Sequence, residues 1–369
     1  MIRHDLNIVL CGTGTVGGTL LGQIAQQQKN LLANRNLNIQ VIGIADIFNM
    51  MYDKNGLDLS QFMNGSEFSF ESFNKTFRAA EKSNMDLISE KVLALSAEGI
   101  KNMVFVDCTA SYDVADLYLR FLQKGISIVC ANKVAASGDI NNYKLLKETA
   151  RKNDCEYKFE TNVGAGLPVI NTINALRDTG DNIQRIEAVL SGTLNYIFNT
   201  ISADVPFSKA VMQAKEARFA EPDPRIDLSG VDVIRKLVIL ARESGYEISQ
   251  EDVEKNLFVP DEYFDGSLED FWKNLPKLDA HFEAMRKEVE AANQHLRFIA
   301  KLENGKASVS LQRVDITSPF YTLEGSNNVV TLLTDRYNPH PMMIYGYGAG
   351  AGVTAAGVFD DIIAIGITK

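Results

Sequence analysis

Two stretches of this sequence carry residue types at spacings that can do chemistry. The denser runs Phe219-Ala-Glu221-Pro-Asp223-Pro-Arg225-Ile-Asp227-Leu-Ser-Gly230-Val-Asp232-Val-Ile-Arg235-Lys236. The prolines at 222 and 224 disfavour helix and are expected to hold an extended loop. A helix is expected to follow from Ser229, whose side chain suits an N-cap. Asp232 and Lys236 are then i,i+4 neighbours on one flank. Val231, Ile234, Val238 and Ala241 form an apolar stripe, which Val233, Leu237, Ile239 and Leu240 extend nearly all round. The helix is therefore expected to be largely buried, with its Asp–Lys pair in a confined place. Burial lowers a lysine's proton affinity and nearby carboxylates raise it, so Lys236 could exchange a proton near neutral pH. Acids in excess of bases suit a ligand that carries an ammonium group. On a surface the same spacing would be an ion pair worth a few tenths of a kcal/mol.

The second stretch is Gly12-Thr13-Gly14-Thr15-Val16-Gly17-Gly18, directly after the apolar run Leu6 to Leu10. A glycine at 12 permits a tight turn, Gly14 lets the backbone approach a pyrophosphate, and Gly17 lets helix and strand pack closely. The N–H groups of the helix that follows then face the phosphates. Asp46 ends the next apolar run, Ile39 to Ala45. An acid there can accept hydrogen bonds from a ribose 2′-OH, which leans toward NAD over NADP, or it can simply close a turn.

Parallel strands must position these groups. Beyond Leu6–Leu10 and Ile39–Ala45, strands are expected at 103–107, 126–130 and 157–160, with helices at 19–32, 112–123 and 139–152 and a polar, helical insertion at 53–100. That alternation predicts an α/β fold, a Rossmann-like doubly wound parallel sheet. At 369 residues a second domain is expected.

Composition narrows the function classes. The net charge of −10 argues against a nucleic-acid or anionic membrane partner. No apolar run reads as the roughly 18 residues of a membrane span, and the first residues have no signal-peptide layout. Cys11, Cys108, Cys130 and Cys155 are scattered, without metal-ligand spacing, as expected of reduced thiols in the cytoplasm. An aldehyde dehydrogenase using Cys108 or Cys130 as thiolate would need a histidine or helix start beside it, and neither is visible. A non-catalytic dinucleotide sensor would leave the 221–236 cluster unexplained.

The motifs GTGTVGG at 12–18, VDCTAS at 106–111, ANKVAAS at 131–137, TNVGAGLPVI at 161–170, LSGTLNYIF at 190–198, EPDPRIDLSGVDVIRK at 221–236 and GYGAGAGVTAAGVF at 346–359 resemble those of homoserine dehydrogenases. The likeness is to the dehydrogenase region of bifunctional aspartokinase–homoserine dehydrogenases and spans essentially the whole chain. It implies a dinucleotide domain over 1–155 with a returning C-terminal helix at 346–369. Residues 156–345 would form a mixed α+β domain for substrate binding, catalysis and dimerisation.

The resemblance also implies NAD(P)-dependent interconversion of L-homoserine and L-aspartate 4-semialdehyde, a step of threonine and methionine biosynthesis, in a homodimer. Lys236 matches the family's proton-transfer lysine and Lys133 its second active-site lysine. Glu221, Asp227 and Asp232 match acids that hold the substrate amine or position the lysine, while Gly192 and Thr193 match substrate contacts. Thr109, Ser111 and Gly348 join the glycine loop and Asp46 as cofactor contacts. Glu160, with the backbone of Val163, Ala165 and Leu167, matches a monovalent-cation site for sodium. The sequence departs from the family at Arg218, where glycine is usual, at Phe219, where tyrosine is usual, and at Asp46. It contains no kinase or C-terminal regulatory portion, so end-product control is not expected of this chain, and a native fusion to an aspartokinase stays open.

Overall fold

The computed structural model describes residues 3–368. The chain forms two compact units, Met1–Gly166 with Gly350–Lys369, and Leu167–Ala349.

The first unit is a doubly wound sheet. Strand β1 (His4–Cys11) leads through helix α1 (Thr15–Arg35) to β2 (Leu37–Ala45). Asn36, in the left-handed conformation at φ 52°, ends the helix, as short polar residues can. After β2 come β3 (Asn49–Tyr52), the hairpin β4 (Met63–Asn64) and β5 (Glu67–Phe68), α2 (Phe70–Arg78), β6 (Glu81–Lys82) and α3 (Met85–Ala97). Then follow β7 (Met103–Asp107), α4 (Tyr112–Ala115), α5 (Tyr118–Leu122), β8 (Ser127–Cys130), α6 (Val134–Ser137), α7 (Ile140–Lys152) and β9 (Tyr157–Lys158).

The sheet order is β6-β3-β2-β1-β7-β8-β9. β2, β1, β7, β8 and β9 run parallel; β3 and β6 pair antiparallel at one edge. Leu6, Ile8 and Leu10 of β1 pack with Leu20, Leu21 and Ile24 of α1, and Val9 on the opposite face is buried too, as in a strand covered on both faces. Parallel strands place their carboxyl ends on one edge. The loops after β1, β2, β7 and β8 therefore open together where the chain order reverses at β1.

Several expected elements came out differently. The 53–100 insertion holds two helices and three short strands rather than continuous helix, because Ser69 and Asn84 start new helices as side-chain N-caps. The 112–123 helix is broken in two, and the last strand stops at Lys158, before a 3-10 turn at Glu160–Asn162. One apolar helix, α15 (Ala351–Thr368), is after all long and apolar enough to cross a membrane. Asp360 and Asp361 interrupt its apolar sequence, so it escaped a reading for unbroken runs. Its Ala355, Val358, Ile362 and Ile365 lie in the first unit's core.

The second unit is built on a six-stranded mixed sheet in the order β11-β13-β12-β10-β14-β15. These strands are β10 (Ile183–Val189), β11 (Glu254–Asn256), β12 (His295–Glu303), β13 (Lys306–Val314), β14 (Asn327–Thr334) and β15 (Met342–Tyr347). Its longer helices are α8 (Val169–Asp178), α9 (Gly192–Thr200), α10 (Phe207–Glu216), α12 (Val231–Glu243) and α14 (Asp279–Ala291), with one-turn α11 (Arg225–Leu228) and short α13 (Leu268–Asn274) between them. Arg297 of β12 is a buried cation held by neutral oxygens. It donates to the carbonyls of Phe320, Tyr321 and Leu323, and burial pulls it down to about 10.

Candidate active site

In the first unit the glycine loop is shaped by contacts that a side chain would block. A Cβ on Gly17 would stand 1.9 Å from the Gly12 carbonyl oxygen, so helix and turn meet backbone to backbone. Gly14 precedes α1 without a side-chain cap, and a Cβ on it would meet nothing within 4 Å. The start of α1 thus presents uncapped N–H groups beside open space, with no acid in its first turn. That cradle fits a dinucleotide's phosphates.

Thr13 Oγ1 donates to Asp46 Oδ2 at 3.2 Å, while Asp46 Oδ1 accepts from the N–H groups of Phe48 and Asn49. Asp46 therefore closes its own turn and also touches the glycine loop. Thr15 opens α1 and accepts from Thr19 Oγ1 on its carbonyl, and Val16 packs on the core.

Asp107 organises the next two loops. It is 0% exposed and accepts from Tyr118 Oη at 2.6 Å, Asn132 Nδ2 at 2.9 Å and the Thr109 N–H at 2.7 Å. Burial raises its carboxyl above the ordinary value, and these donors oppose the rise. Asn132 also donates to the Ser111 carbonyl and caps Val134 N–H, so Thr109, Ser111 and Lys133 are set by one network. The Ser111 hydroxyl caps α4, and Lys133 stands at the start of α6. Asp107 and Asn132 were not singled out from the sequence; a polar residue ending an apolar strand, and an asparagine before Lys133, were the available signals. Burial and the Asp107 charge push the Cys108 and Cys130 thiols far above the ordinary range, which removes the thiolate nucleophile considered above.

At the unit's end, Glu160 is buried and its N–H donates to Asp361 Oδ2 at 3.0 Å. Val163 is buried, Ala165 adopts φ 54°, and Leu167 begins the second unit, its carbonyl accepting from Val169 N–H. A carboxylate and backbone carbonyls are the kinds of donor that a hard cation takes.

The second unit gathers the other residues. Lys236 is 8% exposed and its ammonium lies 2.7 Å from Asp232 Oδ2 and donates to the Leu190 carbonyl at 2.7 Å. Asp232 is half exposed, with 47% of its side chain open to solvent. Asp227 Oδ2 accepts from Glu221 N–H at 2.9 Å, and Thr193 Oγ1 donates to the Phe219 carbonyl at 2.6 Å. Burial raises the Asp227 carboxyl, and the charges of Glu221 and Asp232 add to that rise. Three carboxylates and one lysine thus meet beside Gly192 and Thr193, at the start of α9.

The loop that carries them corrects two expectations. Pro224, whose fixed φ suits a helix start, opens α11, so the segment is not extended. Ser229 closes α11, and although its hydroxyl accepts from the Val231 N–H at 3.4 Å, the residue that starts α12 is Gly230, in the left-handed region at φ 68°. Val231 is consequently exposed and leaves the apolar stripe, although Val233, Ile234 and Leu237 to Ala241 are buried as expected. Asp223 forks onto Arg225, which holds its carboxyl below the usual range and braces the turn. Arg218 adopts φ 60°, where glycine is favoured, and Phe219 stacks on Tyr196 with ring centroids 4.6 Å apart. Gly348 belongs to this unit, where it lies against the amide of Asn328.

A parallel sheet with a glycine-loop phosphate cradle, joined in one chain to a unit bearing a buried lysine among carboxylates, is the build of a dinucleotide-dependent oxidoreductase. Residues 12–160 match the model of the homoserine dehydrogenase NAD-binding domain, and residues 168–363 match that of homoserine dehydrogenase. This chain belongs to the homoserine dehydrogenase family.

A homoserine dehydrogenase of Schizosaccharomyces pombe is 35% identical over 98% of this chain and 96% of its own length. The bifunctional aspartokinase/homoserine dehydrogenase of Haemophilus influenzae is 38% identical over 98% of this chain, which spans 43% of that protein. A hyperthermophilic archaeal homoserine dehydrogenase solved in complex with NADPH superposes with a TM-score of 0.74 at 26% identity, covering 99% of this chain and 98% of that one.

Proposed function

We propose that this chain interconverts L-homoserine and L-aspartate 4-semialdehyde, with Lys236 moving the proton at the substrate oxygen. The observation that carries the reading is the lysine itself: a buried ammonium fixed between a backbone carbonyl and Asp232. A dinucleotide bound at the glycine loop supplies or accepts the hydride. In reduction Lys236 donates a proton to the oxygen that becomes an alkoxide; in oxidation it accepts the hydroxyl proton. Glu221, Asp227 and Asp232 attract the substrate ammonium, and Gly192 and Thr193 at the start of α9 border the same cluster. Thr109, Ser111, Lys133 and Gly348 are the remaining groups proposed to contact the dinucleotide.

Asp46, which holds its second oxygen against Thr13 of the glycine loop, supports a lean toward NAD because a carboxylate there repels a 2′-phosphate. Glu160 with the carbonyls of Val163, Ala165 and Leu167 is proposed as a sodium site, and the working form as a cytoplasmic homodimer. The test is homoserine-dependent reduction of NAD and NADP run in parallel. Turnover with homoserine is expected, with kcat/KM for NAD at least comparable to that for NADP. No turnover with either would refute the activity. A preference for NADP of about 100-fold, some 2.7 kcal/mol, would refute only the role given to Asp46.

A further inference from the structure

Asn328 is a buried amide that the reaction just described does not use. The β10–β14 ladder ends at the pair Val189 and Val329. The carbonyl just past the end of β10, that of Leu190, accepts instead from two side chains: Lys236 Nζ at 2.7 Å and Asn328 Nδ2 at 3.3 Å. Asn328 is 0% exposed, and its Oδ1 has no hydrogen-bond partner. Burying an amide oxygen unsatisfied costs stability, so fold alone gives little reason to keep an amide here. Gly348 makes the fit possible. A Cβ at that position would stand 1.9 Å from Asn328 Cγ, so the main chain lies flat against the amide and leaves it little room to turn.

We propose that Asn328 is a positioning residue for the proton-transfer lysine. Its N–H fixes the Leu190 carbonyl that holds the Lys236 ammonium, and by drawing on the same oxygen it weakens that carbonyl's hold on the proton. The inference rests on the reading of Lys236 as the acid/base.

The charged groups that closely precede Lys236 in the chain are Asp232 and Arg235 on its own helix and, on α11 and the loop before it, Asp227, Glu221 and Arg225, the last paired with Asp223. β10 and β14 bring the Leu190 carbonyl and the Asn328 amide. Of the charges on other elements packed against α12, Arg177 of α8 is engaged on the Glu243 carbonyl, Arg297 of β12 on the Phe320 to Leu323 loop, Lys301 of β12 on Glu303, Arg313 of β13 on Glu288, and Asp252 of the acidic 3-10 turn Gln250–Asp252 on the Ser249 N–H. Glu187 of β10 is paired with Arg185.

The test compares Asn328→Ala and the isosteric Asn328→Asp with the parent enzyme in homoserine oxidation, where Lys236 must first be unprotonated. Asn328→Ala is expected to lower kcat by roughly tenfold with KM for homoserine nearly unchanged, as for a group that acts through the transition state. The alkaline-rising limb of kcat should move to higher pH in Asn328→Ala. It should move further in Asn328→Asp, whose carboxylate favours the charged lysine.

A parallel Lys236→Met variant separates the two readings. If it turns over normally, the acid/base assignment fails and this inference with it. If Lys236→Met is slow while a folded Asn328→Ala keeps its kcat and pH limb, the inference alone is overturned. It is also overturned if kcat, KM and dinucleotide affinity all worsen together in the Asn328 variants, since that is the pattern of general damage.

Discussion

Replacing Lys236 by methionine separates chemistry from packing, because methionine keeps most of the apolar stem and removes the charge. On the stability side three effects nearly cancel. The ammonium's burial penalty is relieved, since Lys236 is only 8% exposed. The pair with Asp232 is lost, but half of that side chain is already in solvent, so the pair is worth at most about 1 kcal/mol. The Leu190 carbonyl still accepts from Asn328 Nδ2, so no buried acceptor is stranded. The net change in unfolding free energy is therefore expected within about 1 kcal/mol of zero in either direction. Turnover should respond very differently. Loss of a general acid/base lowers kcat by roughly 10²–10⁴, about 2.7–5.5 kcal/mol of barrier. The assay is steady-state homoserine oxidation beside urea unfolding, with dinucleotide affinity measured by fluorescence titration and expected unchanged. Lys236→Arg should rescue little, since a guanidinium keeps the ion pair but cannot cycle a proton. A methionine variant that turns over near-normally would show that Lys236 is an ion-pair residue, and the search would move to Lys133.

The other predictions concern strain, charge and close packing. Arg218→Gly should raise stability by about 0.5–1 kcal/mol in chemical unfolding, because φ 60° penalises a side chain by more than glycine's added entropy costs; a loss would mean that the arginine makes contacts worth more than the strain. Asp227 is raised by burial and by two neighbouring carboxylates, so the folded state favours its protonated form. Its contribution is present below the unfolded value of 3.8 and lost as pH rises through the higher folded value, so Asp227→Asn should raise the melting temperature at pH 7, lose that advantage in acid, and raise KM for homoserine. Equal melting curves at pH 7 would contradict the burial argument. Gly17→Ala puts a carbon 1.9 Å from the Gly12 oxygen, so dinucleotide affinity should fall by at least about tenfold in a fluorescence titration; unchanged affinity would mean that the loop does not hold the phosphates.

The first unit was readable in sequence because its signals are local. A glycine triplet between an apolar run and a helix describes a turn whose partners lie within a few residues, and β1, β2, β7 and β8 are apolar on both faces. What was lost there are features decided by capping: Ser69 and Asn84 restart helices inside a polar stretch that composition alone reads as one. α15 was lost for the opposite reason, since two aspartates disguise an apolar helix whose buried side chains lie in the core. In the loop at 221–230 proline has two opposite meanings, since inside a helix it is a breaker. At a helix start its fixed φ is an advantage, and Pro224 is the residue that leads into α11.

The chemistry of the second unit was legible only in part, and the missing part is long-range by nature. Asp232 and Lys236 are four residues apart in a surface helix as much as in a buried one. The partner that fixes the lysine here is a carbonyl 46 residues away, and the amide sharing that carbonyl is 138 residues from it. Asn328 sits in the apolar run of β14, where an asparagine looks like an ordinary strand-end residue. Its role depends on β10 leaving the ladder at Val189 and on a glycine at 348 that lets the main chain lie against it. Lys236 and Asn328 are both buried polar groups on the Leu190 carbonyl whose burial the fold does not need for stability. Each burial taken alone is unfavourable or neutral, so their accumulation around one carbonyl is better explained by a demand of the reaction than by packing.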